Sequence, residues 1–253
     1  MRYNSTQAKL TQIIGYAALL AVLCSGSWFW IVLSLVYYKL VVGLFGNQIA
    51  QHRYFSHKSF TTNKTLHQLL ATVSITTGIS PIVYASIHRH HHKHSDEDND
   101  IHSPKHGFIH SVLTWAWNIR ATNIKPAVDL MRDDFLVFLH EDLYTILSVI
   151  TVLLAVIDWR IAVYVFLAGI GWNYLHMGLL RSALVHTRLP GSYRNFDAGD
   201  NSYNNKFLQL VDIGEGLHNN HHKYPSKCNQ ACIPGEVDPA GWIVEKFLND
   251  RRQ

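Results

Sequence analysis

Three short segments concentrate the histidines of this chain. "HRYFSH" carries His52 and His57, "HRHHHKH" carries His88, His90, His91, His92 and His94, and "HNNHH" carries His218, His221 and His222. His88, His91 and His92 stand in the i, i+3, i+4 relation, which projects three imidazoles from one helical face. His218, His221 and His222 repeat that relation far away in sequence. A spacing of five does not put His52 and His57 on one face of an α-helix, so the helix is expected to fray or turn there for both rings to reach a common point. Neutral imidazole is the commonest protein ligand for borderline metals, and these groups outnumber the ligands that close a tetrahedral zinc site. Two metals are therefore implied. Nitrogen-rich ligation with room for open positions suits redox-active iron that must bind oxygen. The densest run is interior and flanked by apolar segments, which argues against a terminal tag.

The elements that must position these groups are apolar. Residues 10–46 are nearly uninterrupted hydrocarbon, broken once at Ser25, Gly26 and Ser27. A membrane span needs about 20 residues, so the stretch is expected to form a tight helical hairpin with Trp28 and Trp30 at the far interface. Residues 143–180 repeat the pattern, with the break at Asp158, Trp159 and Arg160. Residues 66–86 are apolar but carry several Ser and Thr plus Pro81, and are expected to pack at the membrane face without crossing.

Four spans put the N-terminus, residues 47–142 and residues 181–253 on one side. Nearly all Lys and Arg fall there, including Arg53, Lys58, Lys64, Arg89, Lys93 and Arg120, whereas the opposite loops hold only Arg160. That bias places both termini and the histidine segments in the cytoplasm. The expected fold is an all-α integral membrane protein: four transmembrane helices in two hairpins, and a cytosolic helical cap carrying the histidines. No linker divides residues 1–253, which are expected to form one domain.

A formal charge of +4, scattered between apolar blocks, gives no basis for nucleic-acid binding. Cys24, Cys228 and Cys232 make no disulfide framework and fit a reducing compartment. No haem or iron–sulfur cysteine pattern is present, so a redox reaction here needs an external electron donor.

The connecting segments carry a resemblance. "SDEDNDIHSP" (95–104), "HGFIHSVLTW" (106–115), "GEGLHNNHHKYP" (214–225) and "DPAGWIVEKFL" (238–248), in this order, resemble motifs of the membrane-bound fatty-acid desaturases. The likeness is to the delta-9 acyl-CoA or acyl-lipid branch, stearoyl-CoA desaturase-like, and covers roughly residues 43–248. It implies a non-haem centre of two Fe2+ ions held by nine histidines, O2 as co-substrate, and removal of two hydrogens from adjacent methylenes of a fatty acyl chain. His52, His57, His88, His91, His92, His218, His221 and His222 fall on the family's box positions, and His186 in "SALVH" corresponds to the ninth ligand. The implied electron donor is ferredoxin or cytochrome b5 with its reductase.

Departures from the family pattern bear on the site. Ser182 stands where the family has an asparagine that holds a water on the metal. Ser86 and Ile87 replace the Arg-Asp pair with which animal members contact CoA, which weakens a CoA thioester as substrate and leaves a membrane lipid or carrier thioester open. Tyr84 replaces the tryptophan that begins that motif. Tyr84, Trp115, Trp117 and Trp172 are expected mainly in packing roles. His67, His90, His94, His102, His106, His110, His140 and His176 are not carried over as ligands. His90 and His94 lie off the shared face and are expected to meet Asp96, Asp98 or Asp100. The same oxidant would also serve a membrane di-iron hydroxylase or ketolase. A non-catalytic metal-binding membrane protein would instead place its ligands at mid-membrane depth.

Overall fold

The computed structural model describes residues 5–117, 125, 127–212 and 214–249; Arg120 and the first four residues lie outside them. Helix α1 (Ser5–Cys24) ends at a turn in which Gly26 takes a φ of +67°, a conformation that costs glycine little. Helix α2 (Trp28–Tyr37) follows and continues over Tyr38–Ser56 with π-type winding.

Three helices, Ser5–Cys24, Trp28–Ser56 and Leu143–Leu184, are long and apolar enough to cross a membrane, or up to four if a bent pair, Lys64–Thr77 and Pro81–His94, counts as one. The third is broken within. Asp158 has extended backbone angles (φ −160°, ψ 117°), so helix α6 (Leu143–Arg160) turns there into a return limb. That limb comprises π-type Ile161–Leu167, α7 (Ala168–His176) and π-type Met177–Leu184. The break falls where the charged Asp158–Arg160 interruption of the apolar pattern puts it. The Arg160 guanidinium donates to Asp158 at 2.6 Å and lies 5.3 Å from the Trp30 ring, tying the two hairpin tips together.

Small residues set the helix spacing. α1 packs chiefly on α7, and a Cβ on Gly171 would collide with the Gly15 carbonyl, a backbone approach typical of helices in lipid. Outward, Trp28, Phe29, Val152, Leu153, Val156 and Ile157 remain exposed, a surface suited to hydrocarbon.

Helices α3 (Lys64–Ser74) and α4 (Pro81–His94) meet at a 77° bend. Ser80 caps α4 by accepting the Val83 N–H, and Pro81 occupies its first turn, where no intrahelical N–H is needed. The main core joins α3 and α4 to the end of the α2 limb, to α7 and to α5 (Asp134–Glu141) through Ile49, Phe55, Leu70, Ile82, Leu136 and Ile170. This core holds the histidine end of α4 against the π-wound limb.

The expected all-α fold needs one correction. A short antiparallel ribbon pairs β1 (Ser192–Tyr193) with β2 (Asn204–Asn205). It is followed by α8 (Leu208–Val211), α9 (His218–Lys223) and α10 (Pro239–Ile243). The C-terminal segment is pinned by Arg53, whose buried guanidinium donates to both Asp238 oxygens at 3.0 and 2.9 Å and to the Cys228 carbonyl at 2.8 Å.

Candidate metal centre

The fold gathers nine histidines into two adjoining groups. Ring nitrogens of His52, His57, His88, His92 and His221 lie within 4.8 Å of one another, and so do those of His91, His186, His218 and His222. In the first group the Nε2 atoms of His57 and His88 are 2.8 Å apart, those of His92 and His221 2.8 Å, and those of His52 and His221 3.0 Å. In the second, Nε2 of His186 and His218 are 3.0 Å apart.

Local backbone geometry explains how each ring arrives. The expectation that the helix frays between His52 and His57 is replaced by π winding: the His57 N–H donates to the His52 carbonyl at 3.1 Å. An i→i+5 register brings residues five apart onto one face. On α4, His88 and His92 serve the first group while His91 turns to the second. α9 mirrors this, with His218 and His222 in the second group and His221 in the first. The single face expected on each helix therefore straddles both groups.

The short helix α9 is held by the asparagines between its histidines. The Asn219 side chain accepts the Asn195 and Phe196 N–H groups, each at 3.0 Å. Asn220 donates to Glu236 at 2.8 Å and accepts from Asn195 and Asn204.

Outer ring nitrogens meet carboxylates. Nδ1 of His91 faces Asp100 at 2.9 Å, His186 faces Asp96 at 3.0 Å, His218 faces Glu215 at 3.1 Å and His222 faces Asp200 at 2.5 Å. His52 Nδ1 lies 3.0 Å from the other Glu215 oxygen, so one carboxylate serves both groups. An Nδ1–H so engaged fixes the tautomer and leaves the Nε2 lone pair facing the group interior. Nε2 of His91 and of His222 are buried without a hydrogen-bond partner among the described residues, which fits both to a cation.

Charges are set for cation binding. Burial pushes His218 down to about 4, against the pull of Glu215, so its imidazole is neutral near neutral pH. Burial alone would raise the Glu215 carboxyl, but His52 and His218 override it and hold it well below the ordinary range. Asp100 and Asp200 are likewise lowered, by His91 and His222 respectively. His91 is the exception among the rings: burial would lower it, but Asp100 raises it. Ring nitrogens backed by charged carboxylates fit two divalent cations.

The remaining expectations divide. His90 faces the Asn99 carbonyl at 2.9 Å and His94 faces Glu97 at 2.8 Å, not Asp96, Asp98 or Asp100. Asp98 is exposed, and the other two belong to the site. His102, expected to be bystanding, is buried with its ring centroid 4.3 Å from that of His91, and forms with His91 and Asp100 a third, overlapping group. Ser182 is buried, and its hydroxyl donates to the Met177 carbonyl at 3.1 Å. Trp172 stacks on Tyr38 and Trp117 donates to Gln12.

Asp96 and Asp100, named from the acidic run after α4, do support site rings, though those of His186 and His91 and not of His90 and His94. Other site residues escape sequence reading. Glu215 carries a signal, three residues before His218. Asp200 lies in a loop with no periodic relation to His222. Arg181, an ionisable residue at the end of an apolar helix, is a signal by itself.

A small cavity borders both groups. Ile79, Tyr84, Ile87, Trp115 and Met177 form its largely apolar wall, and His88, His91, Arg181, Glu215 and His218 its polar one.

The family model for fatty acid desaturases matches residues 28–230. The chain is 31% identical to an sn-2 palmitoyl-lipid 9-desaturase of Nostoc sp. (strain 36), over 96% of this chain and 88% of that protein. It is 32% identical to an sn-1 stearoyl-lipid 9-desaturase of Anabaena variabilis, over 88% and 81%. An acyl-CoA 5-desaturase of Anemone leveillei is 30% identical over 88% of this chain and 70% of its own length.

Proposed function

The chain belongs to the fatty acid desaturase family, and from that premise we propose that it introduces a cis double bond, at Δ9, into a saturated acyl chain with a non-haem di-iron centre. The observation that carries this reading is the division of nine histidines into groups of five and four, with the ring nitrogens of each group gathered within 4.8 Å of one another. His52, His57, His88, His92 and His221 would hold one iron, and His91, His186, His218 and His222 the other. When bound, the irons supply the oxidation of an unactivated methylene by dioxygen, which general acids and bases cannot start.

The side chains of the protein do the positioning. Asp96, Asp100, Asp200 and Glu215 accept from Nδ1 atoms and keep the rings in place. Ile79, Ile87, Trp115 and Met177 offer an apolar wall against which methylenes can lie with water excluded. Two electrons per turnover would come from ferredoxin or from cytochrome b5 with its reductase.

The substrate favoured here is an acyl chain carried by a membrane lipid. Where a CoA-contacting Arg-Asp pair would stand, the Ser86 hydroxyl donates to the Ile82 carbonyl and accepts the Ala127 N–H, while Ile87 faces the cavity. Lipid-acting relatives fit this preference. In the membrane, the proposed arrangement is one domain with four spans in two hairpins, and both termini and the histidines on the cytoplasmic side.

Expression in a host without a desaturase, followed by mapping of double bonds in extracted lipids, tests the proposal. New Δ9 double bonds are expected in lipid-esterified chains. Hydroxylated or oxidised lipids without new double bonds would overturn desaturation in favour of a hydroxylase or ketolase.

A further inference from the structure

The four-histidine group has a neighbour that none of its ligands explains. Arg181 lies in the π-type segment Met177–Leu184 and is 8% exposed. One guanidinium nitrogen, Nη1, donates to Asn47 Oδ1. Nε and Nη2 are buried without a hydrogen-bond partner among the described residues. Its two acidic neighbours act on it through their charge and form no hydrogen bond with it: Asp212 lies 3.2 Å from His176, and Glu215 serves His52 and His218. Leaving a buried charged donor unpaired costs on the order of 1–3 kcal/mol or more.

The side chain lines the cavity together with His88 of the five-histidine group and His91 and His218 of the four-histidine group. Trp115 Nε1, in the same wall, also has no partner among the described residues. The Ser182 hydroxyl, which would compete for a ligand there, is turned to its own helix. A fixed guanidinium beside a metal cation is repulsive unless negative charge lies between them. The cavity volume is about 30 Å³. One water needs ~10–15 Å³ by this measure, so the room suits a group of one to three heavy atoms and not a phosphate ester.

We propose that Arg181 makes this cavity an anion site, in which a small monovalent anion such as azide would lie between the guanidinium and the histidine groups. The proposal rests on the iron reading, and iron content is measured separately so that the two can fail apart.

The probe is azide added to the iron-loaded, oxidised full chain in detergent, followed by the azide-to-iron absorption band and by electron paramagnetic resonance. The wild-type protein is expected to carry two irons and to bind one azide per chain, saturably. Arg181→Gln should keep two irons and weaken azide at least tenfold, and Arg181→Lys should recover part of that loss. Equal azide affinity in wild type and Arg181→Gln, or two azides per chain, overturns the proposal. So does an iron-loaded wild type that binds no azide. If Arg181→Gln does not retain iron, the wild-type stoichiometry and the Arg181→Lys affinity decide. A wild type that loads no iron overturns the iron reading first and this proposal with it.

Discussion

The two histidine groups draw on the same two helices, α4 and α9, yet they are supported differently. Every outer nitrogen of the four-histidine group faces a carboxylate: Asp100, Asp96, Glu215 or Asp200. Among the described residues, only His52 of the five-histidine group does so, and it shares Glu215. One group has more nitrogens; the other has more charge behind fewer nitrogens. Carboxylate partners raise imidazole basicity and fix ring orientation, so charge from behind can offset the missing ligand. Independent sites bridged at Glu215 and at the shared helices are the expected consequence.

Removing one ring from each group breaks the comparison most directly. His221→Ala and His91→Ala are each expected to abolish desaturation, a loss beyond the ~10–100-fold typical of outer partners. Iron content should fall from two to about one per chain in each variant, at different sites. Loss of both irons in either variant, read by metal analysis of purified protein, would mean the groups do not load separately.

A gentler pair sharpens the same distinction. Glu215→Gln keeps shape while removing the shared charge, and is expected to weaken both sites by ~10–100-fold in metal affinity. Asp100→Asn touches only His91 of the nine and should weaken the four-histidine site alone. Competition with a chelator, resolved site by site, measures this. An equal loss at both sites in Asp100→Asn would remove the asymmetry.

Acid should act on the carboxylate-backed group as well. In the folded, metal-free chain His218 is neutral down to about 4, because burial opposes its charge. Unfolded, it takes a proton below about 6.5. The unfolded state then binds more protons between those values, so stability falls as pH drops through that window, by roughly 1–3 kcal/mol from this residue. The lowered carboxyls of Glu215 and Asp200 contribute stability above the ordinary carboxylate range, lost only at lower pH. Thermal unfolding of the metal-free protein between pH 7.5 and 5 reads the histidine part, and a flat profile would sink it.

What was legible in the sequence follows from range. Hydropathy blocks and the interruptions at Gly26 and Asp158 are local, and they mark where helices start and stop. The i, i+3, i+4 pattern marks which face of α4 and α9 is special. It does not reveal that His91 and His221 cross to the other group, because that depends on how α4 meets α9, 129 residues apart at His92 and His221. The His52–His57 spacing misled for a local reason, since an α-helical register was assumed where the backbone is π-wound. Asp200 and Arg181 reach the site only through tertiary packing.

The smallest effect is expected on the outer side of α4, within the run that first draws the eye. His90 and His94 are one turn apart, with ring centroids 4.7 Å from each other, on the face away from His88, His91 and His92. His90 meets a backbone carbonyl, and His94 pairs with Glu97, whose side chain is 60% exposed. Exposed pairs of this kind contribute about 0–1 kcal/mol. His90→Ala and His94→Ala should therefore leave two irons per chain, with stability within ~0.5 kcal/mol and little change in double-bond yield. Iron lost from either variant would show the run acting as one continuous metal trap. Retention would show that the helix sorts five histidines by face, three toward the metals and two toward solvent.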